Sequence, residues 1–134
     1  MTKYKYNCQA VRIVDGDTID LKVFTHTKVD VGFGIMVPVP SIDITERIRL
    51  AGIDTPELNS SDKKERIRAQ TARMYVINWI EQVTMFGRFP LVIYTDKDKR
   101  GKFGRYIATV WDRDETECLN DQLVNLGYAV RVSY

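Results

Sequence analysis

The stretch Val11-Arg-Ile-Val-Asp-Gly-Asp-Thr-Ile-Asp-Leu-Lys-Val-Phe24 decides the fold class. Val11 and Ile13 alternate with Arg12; past Asp15-Gly16, Ile19, Leu21 and Val23 alternate with Thr18, Asp20 and Lys22. A period of two puts apolar side chains on one face, so both halves read as strands with one buried side. Asp-Gly between two such runs is a hairpin signal. The expectation is a first strand over Tyr4–Val14 and a second over Thr18–Phe24.

Outward from this hairpin, Thr25–Thr45 carries β-branched residues together with Gly32, Gly34, Pro38 and Pro40. It reads as an extended excursion or long hairpin, and its prolines argue against a central strand. A third strand is expected over Glu46–Ile53, and a helix over Lys63–Gln82. In the helix Ala69, Ala72, Val76, Ile80 and Val83 form a stripe at helical period, widened by Met74, Ile77 and Trp79. A fourth strand follows over Phe89–Tyr94, then a basic loop over Asp96–Gly104 and a fifth strand over Arg105–Trp111. A last helix is expected over Glu117–Leu126, facing inward through Leu119, Leu123 and Leu126 and stopped by Gly127. Five strands with a helix between the third and fourth are the count and order of an OB-like barrel.

The 134 residues are 44% hydrophobic and 28% charged, enough for one globular domain spanning 1–134 and inconsistent with a disordered or fibrous chain. No run reaches the ~18 apolar residues of a membrane span, and the N-terminus lacks the apolar stretch of a secretory signal. The expected setting is intracellular (cytoplasmic, or encoded by a phage or plasmid), with a processed secreted form as the alternative. Cys8 and Cys118 lack metal-ligand spacing and read as buried thiols or a disulfide. His26 is the sole histidine, which removes His-rich zinc sites and Ser-His-Asp triads. Net charge is only +2, but it is unevenly spread. Lys97, Lys99, Arg100, Lys102 and Arg105 face one acid, Asp98, and Lys63, Lys64, Arg66, Arg68 and Arg73 face Asp62 and Glu65. Two basic patches on a near-neutral chain suit a face that meets polyanions, or solvated surface.

Three segments hold the chemically useful side chains: Asp15-Gly16-Asp17-Thr18, Arg49-Leu50-Ala51-Gly52-Ile53-Asp54-Thr55-Pro56-Glu57, and Lys102-Phe103-Gly104-Arg105. Asp17 and Asp54 together offer carboxylate oxygens to a hard cation such as Ca²⁺ or Mg²⁺. Arg49 and Arg105 can clamp a phosphate, since the guanidinium fork matches phosphate oxygens. Glu57 is then a spare carboxylate, ionised near neutrality and able to take a proton from water. Arg49 and Asp54 are five apart and meet only if the strand breaks, for which Gly52 is the place. Each segment alone also reads as ordinary turn or loop chemistry. Asp96-Lys97-Asp98-Lys99-Arg100-Gly101 begins like an EF-hand loop but lacks ligands at Arg100 and Ile107, and is rejected.

In this order, Val14-Asp15-Gly16-Asp17-Thr18, Arg49 to Glu57, Asp98 to Arg105 before a strand, and Leu119-Asn120 to Leu126-Gly127-Tyr128-Ala129 resemble the staphylococcal nuclease family over nearly the whole chain. The resemblance implies an OB-fold barrel with added helices that cuts DNA or RNA with Ca²⁺ and leaves 3′-phosphate ends. It implies metal binding by Asp17, Asp54 and the backbone carbonyl of Thr55, with Mg²⁺ or Mn²⁺ as alternative ions. Arg49 and Arg105 match the phosphate-binding arginines, and Glu57 the general base or water-positioning carboxylate. Lys63, Lys64 and Lys102 are phosphate contacts or solvated charges, and Tyr128 and Tyr134 are the C-terminal aromatics available for stacking on bases.

The sequence departs from the family pattern at Phe103, where members often carry Tyr, at Arg66-Ile67-Arg68-Ala69-Gln70, and in the length of the Thr25–Thr45 excursion. That excursion covers the barrel or contacts a partner, a second copy included. The alternative function is a catalytically silent OB-fold module that binds nucleic acid or protein.

Overall fold

The structure, a computed structural model, describes residues 4–30, 32–100 and 106–133, with the side chains of 25–30, 38–43 and 96–100 outside the description. The alternating runs form strands β1 (Tyr4–Asp15) and β2 (Thr18–Asp30), and Asp15 pairs with Thr18 across the tight turn. Strand β3 (Met36–Leu50) runs antiparallel to β2 from Thr18↔Arg49 out to Asp30↔Met36. There follow β4 (Ile53–Asp54), helix α1 (Lys63–Val83), β5 (Leu91–Arg100), β6 (Tyr106–Trp111), helix α2 (Leu119–Asn125) and β7 (Val130–Arg131).

Strands β1-β2-β3-β6-β5 close into a barrel. All its pairings are antiparallel except β3 with β6, where Ile48, Arg49 and Leu50 run parallel to Tyr106, Ile107 and Ala108. With α1 between the third and fourth barrel strands and α2 behind the fifth, this is the OB arrangement the sequence leads one to expect. Cys8, Ile19, Leu21, Ile48, Leu50, Leu91, Ile93 and Val110 fill it, and α1 adds Val76, Trp79 and Ile80 to the same cluster. The Asp62 side chain caps α1 by accepting from the Lys64 N–H (3.0 Å), satisfying one of the first-turn donors.

Several boundaries differ from the sequence reading. The excursion takes the expected long-hairpin form, a two-stranded ribbon whose tip turns at Gly32 and Gly34, both with positive φ. Phe33 is fully exposed there, beside exposed Ile35, Met36 and Val37, so the described tip does not cover the barrel. Its prolines are tolerated because β6 joins β3 only at Ile48–Leu50, leaving Pro38 laddered on one side. The expected third strand breaks after Leu50, and Ile53–Asp54 becomes β4, paired with β7. The charged run from Asp96 to Arg100, expected as loop, continues β5, while residues 101–105 lie outside the description. Met74 is half-exposed, since two residues of helix turn it about 200° from Val76. Leu126 is exposed because α2 stops at Asn125; Gly127 then takes a φ of 83°. Cys8 and Cys118 are buried and free, and burial pushes the Cys8 thiol up to about 12.

Candidate functional site

The site forms where β3 leaves the barrel. Gly52 turns the chain at a φ of 72°, a conformation costly for any residue with a Cβ. That turn brings Asp54 back to Arg49. Arg49 is only 6% exposed, and its guanidinium is shared. Nη1 lies 2.9 Å from Asp17 Oδ2 and donates to the Asp17 carbonyl (3.3 Å); Nη2 donates to Asp54 Oδ1 (2.6 Å) and to the Ile53 carbonyl (2.9 Å).

Asp17 is fixed from the other side as well. Its Oδ2 accepts from the Thr55 N–H (3.0 Å), its Oδ1 from the Thr18 hydroxyl (3.1 Å), and its carbonyl from the Leu50 N–H (2.9 Å). Gly16 makes this possible, because a Cβ there would lie 3.0 Å from Thr55 Cγ2 and 3.1 Å from Ala72 Cβ. The hairpin turn is thereby seated against both the Thr55 loop and α1. Thr55 is buried, and its Oγ1 has no hydrogen-bond partner among the described residues.

Glu57 is exposed, and its N–H stands 3.5 Å from Glu65 Oε1. Its carboxyl is held above the ordinary value by partial burial, and the carboxylates of Asp15, Asp17, Asp54 and Glu65 push the same way. Four carboxylates thus act on Glu57 at this rim, with Arg49 set among them. All the candidate ligand atoms are oxygen, the chemistry hard cations prefer. Among the described residues no group of three or more His, Cys, Asp and Glu side chains is arranged to hold a metal ion. Asp17 and Asp54 are the two carboxylates that converge on one cationic group.

The structure thus brings Asp17, Arg49, Asp54 and Thr55 into contact, with Glu57 at their edge. Tyr128 lines a cavity of about 560 Å³ that Asp54, Thr55 and Arg68 also line, and its ring stacks on Tyr75 with centroids 5.0 Å apart. Lys63 and Lys64 are exposed on the first turn of α1. Lys102, Arg105 and Tyr134 lie outside the described residues, as does Phe103.

Three contributors were given no role of their own in the sequence reading. Asp15 and Glu65 add to the field on Glu57, and proximity of this kind leaves no local signal. Asn120, 2% exposed, donates to the Ala51 carbonyl (2.9 Å) and the Ala108 carbonyl (3.2 Å) and accepts from the Val110 N–H (3.1 Å). It ties the turn after β3 to β6. Its position between Leu119 and Leu123, on the inward side of a short helix, was the available signal.

An OB barrel that gathers carboxylates and a buried arginine where its third strand ends defines the class, and a comparison with family models agrees. The model of the staphylococcal nuclease homologues matches residues 47–134, 88 of the 134. The chain belongs to that family, whose fold is one of nucleases or nucleic-acid binders. The matched segment begins at Arg47 and takes in Arg49 to Glu57; the Asp15–Thr18 turn lies before it. Among curated proteins no relative matches. No helix among the described residues is long and apolar enough to cross a membrane.

Proposed function

We propose that the protein is a metal-dependent endonuclease that hydrolyses phosphodiester bonds of DNA or RNA and leaves 3′-phosphate ends, with residues 1–134 as one domain. The observation that carries this reading is the buried Arg49 guanidinium held between Asp17 and Asp54, with Glu57 beside them. A purely structural role accounts for it poorly, because buried ion pairs are seldom more stabilising than the apolar packing they displace. Carboxylates kept at the mouth of a strand break suit a hard cation, which would in turn draw a polyanionic ligand to the site.

In this reading Asp17, Asp54 and the Thr55 carbonyl hold Ca²⁺, with Mg²⁺ or Mn²⁺ as alternatives. When bound, the ion supplies charge neutralisation and Lewis-acid polarisation beside the phosphate. Arg49 and Arg105 take the phosphoryl oxygens, and their contribution grows as charge builds there during attack. Glu57 accepts the proton of the attacking water as the new P–O bond forms and the bond to the 5′-oxygen breaks. Partial burial and the neighbouring carboxylates raise its pKa, which strengthens it as a proton acceptor. Lys63, Lys64 and Lys102 add phosphate contacts, and Tyr128 and Tyr134 add stacking surfaces. A catalytically silent module would bind nucleic acid and leave it intact.

End-group analysis tests the reading. The products of a digest are offered to a template-directed polymerase before and after phosphatase treatment. The expected result is extension only after phosphatase; extension without it means 3′-hydroxyl ends and contradicts the assignment.

A further inference from the structure

A second groove, of about 510 Å³, runs between β1 and the C-terminal half of α1. Strand β5 ladders with β1 only from Tyr4 to Cys8, so from Gln9 to Ile13 the groove wall is a strand edge not laddered to β5. Ile77, Ile80 and Thr84 form the opposite wall. The Arg12 side chain is exposed, lies in the field of Asp20 and makes no hydrogen bond among the described residues. Arg73 is anchored through Nε to the Ile13 carbonyl (2.9 Å), and its Nη groups make no hydrogen bond among the described residues. Glu81 is the sole acid lining the groove among the described residues.

The far end is closed by an unusual turn. Met85 and Phe86 have φ of 49° and 58°, followed by Gly87 at 92°. Bulky residues avoid that region, and such strain persists only where the surroundings enforce it. Here the Phe86 N–H donates to the Glu81 carbonyl (2.8 Å), and the Gly87 N–H to Thr84 Oγ1 (3.2 Å). The result is a Phe86 whose backbone is fixed and whose residue is 82% exposed at the groove's rim.

The near end meets the candidate site. Ile13 is two residues from Asp15, about 7 Å along a strand, and Asp17 at the same turn binds Arg49 and the Thr55 N–H. From Ile13 to Gln9 the wall extends about 13 Å further. The volume falls in the range of small-ligand pockets, about 300–1,000 Å³, the scale of a nucleotide or two.

We propose that this groove is a track for single-stranded nucleic acid leading away from the candidate site, in which Arg12 and Arg73 take phosphates and Phe86 stacks a base. The inference rests on the nuclease reading for its polarity but concerns residues outside the catalytic set. Excess cationic charge, an exposed ring on a fixed backbone turn and continuity with the site are the features that recognise a strand by its backbone and its π-faces.

The test is anisotropy binding of fluorescent single-stranded DNA, a trinucleotide and a dodecanucleotide, in EDTA so that nothing is cut. Wild type is expected to bind the dodecanucleotide more tightly than the trinucleotide. Phe86→Ala should weaken the dodecanucleotide about tenfold and leave the trinucleotide unchanged, with Phe86→Tyr restoring the loss. Arg12→Gln should reduce the slope of log affinity against log salt by about 0.7, one phosphate's share on a single strand. Affinity for the dodecanucleotide unchanged in Phe86→Ala and Arg12→Gln, or no gain with length in wild type, overturns the proposal. Cleavage assayed separately with Ca²⁺ distinguishes the two readings. A wild type that cuts while these variants bind normally removes the groove alone, and one that shows the length effect without cutting removes the nuclease reading alone.

Discussion

Arg49 Nη2 lies 2.6 Å from Asp54 Oδ1, although a five-residue separation on an unbroken strand would send the two side chains to opposite faces. The positive φ of Gly52 ends the strand, and the Val132 N–H bonded to the Gly52 carbonyl (3.0 Å) fixes the turn. Fold and site meet at this break, since the same guanidinium also reaches Asp17 at the β1–β2 hairpin.

Arg49→Ala should therefore destabilise the protein. Its pair with Asp17 is almost wholly buried, and removing one partner of such a pair costs about 3–5 kcal/mol by leaving a charge unmatched. Asp54 is half-exposed and adds little. Urea denaturation in EDTA reads the difference, and a loss below about 1 kcal/mol would mean that solvent already screens Asp17.

Glu57→Gln separates chemistry from architecture. The side chain is exposed, so the variant should keep its unfolding midpoint and its Ca²⁺ binding. Turnover is expected to fall by about 10²–10⁴, the usual contribution of a positioned base. Unchanged turnover removes Glu57 from the reaction.

Asn120→Leu tests the support behind the site. It would leave the Val110 N–H and the Ala51 carbonyl without their side-chain partner, at roughly 1–3 kcal/mol for each group left unsatisfied. Calorimetry should show a lower Tm. Stability equal to wild type would mean that the Ala51 turn is held by its other contacts.

The Asp112 carboxylate supplies a pH dependence away from the site. Burial alone would push its pKa up, but the N–H groups of Glu117 and Thr116 and the Thr116 hydroxyl hold it below the ordinary carboxylate value. A carboxylate depressed in the folded state contributes stability above its unfolded pKa of ~3.9 and loses it as pH falls through the lower folded value. Asp112→Asn should thus be less stable at pH 7 by about 1.5–3 kcal/mol, the range for a hydrogen bond to a charged group. The gap between variant and wild type should close below about pH 4. A gap independent of pH would assign the effect to geometry instead of charge.

The barrel could be read from the sequence where strands alternate and turns announce themselves, as at Ile19–Leu21–Val23 and Asp15-Gly16. Asp17, Arg49 and Asp54 stood out because a strand break between charged residues is visible as a glycine. The ribbon beyond Phe24 was legible only as an excursion or long hairpin, since glycines and prolines obscure its period and, among the described residues, β2 and β3 pair there only with each other. Strand β5 was cut short for a different reason: Asp96 to Arg100 is all charge apart from backbone pairing, and pairing writes no pattern. Asn120 and the turn at Met85–Phe86 depend on tertiary contacts and conformation that side-chain type does not encode.

Digestion of single-stranded DNA, duplex DNA and RNA by the purified protein, with Ca²⁺, Mg²⁺ or EDTA and beside Arg49→Ala, tests the central claim most directly. Cutting that requires a divalent ion and disappears in folded Arg49→Ala is the expected result. Intact substrate under every condition, from wild type shown to be folded, would contradict the nuclease assignment and leave a nucleic-acid-binding module.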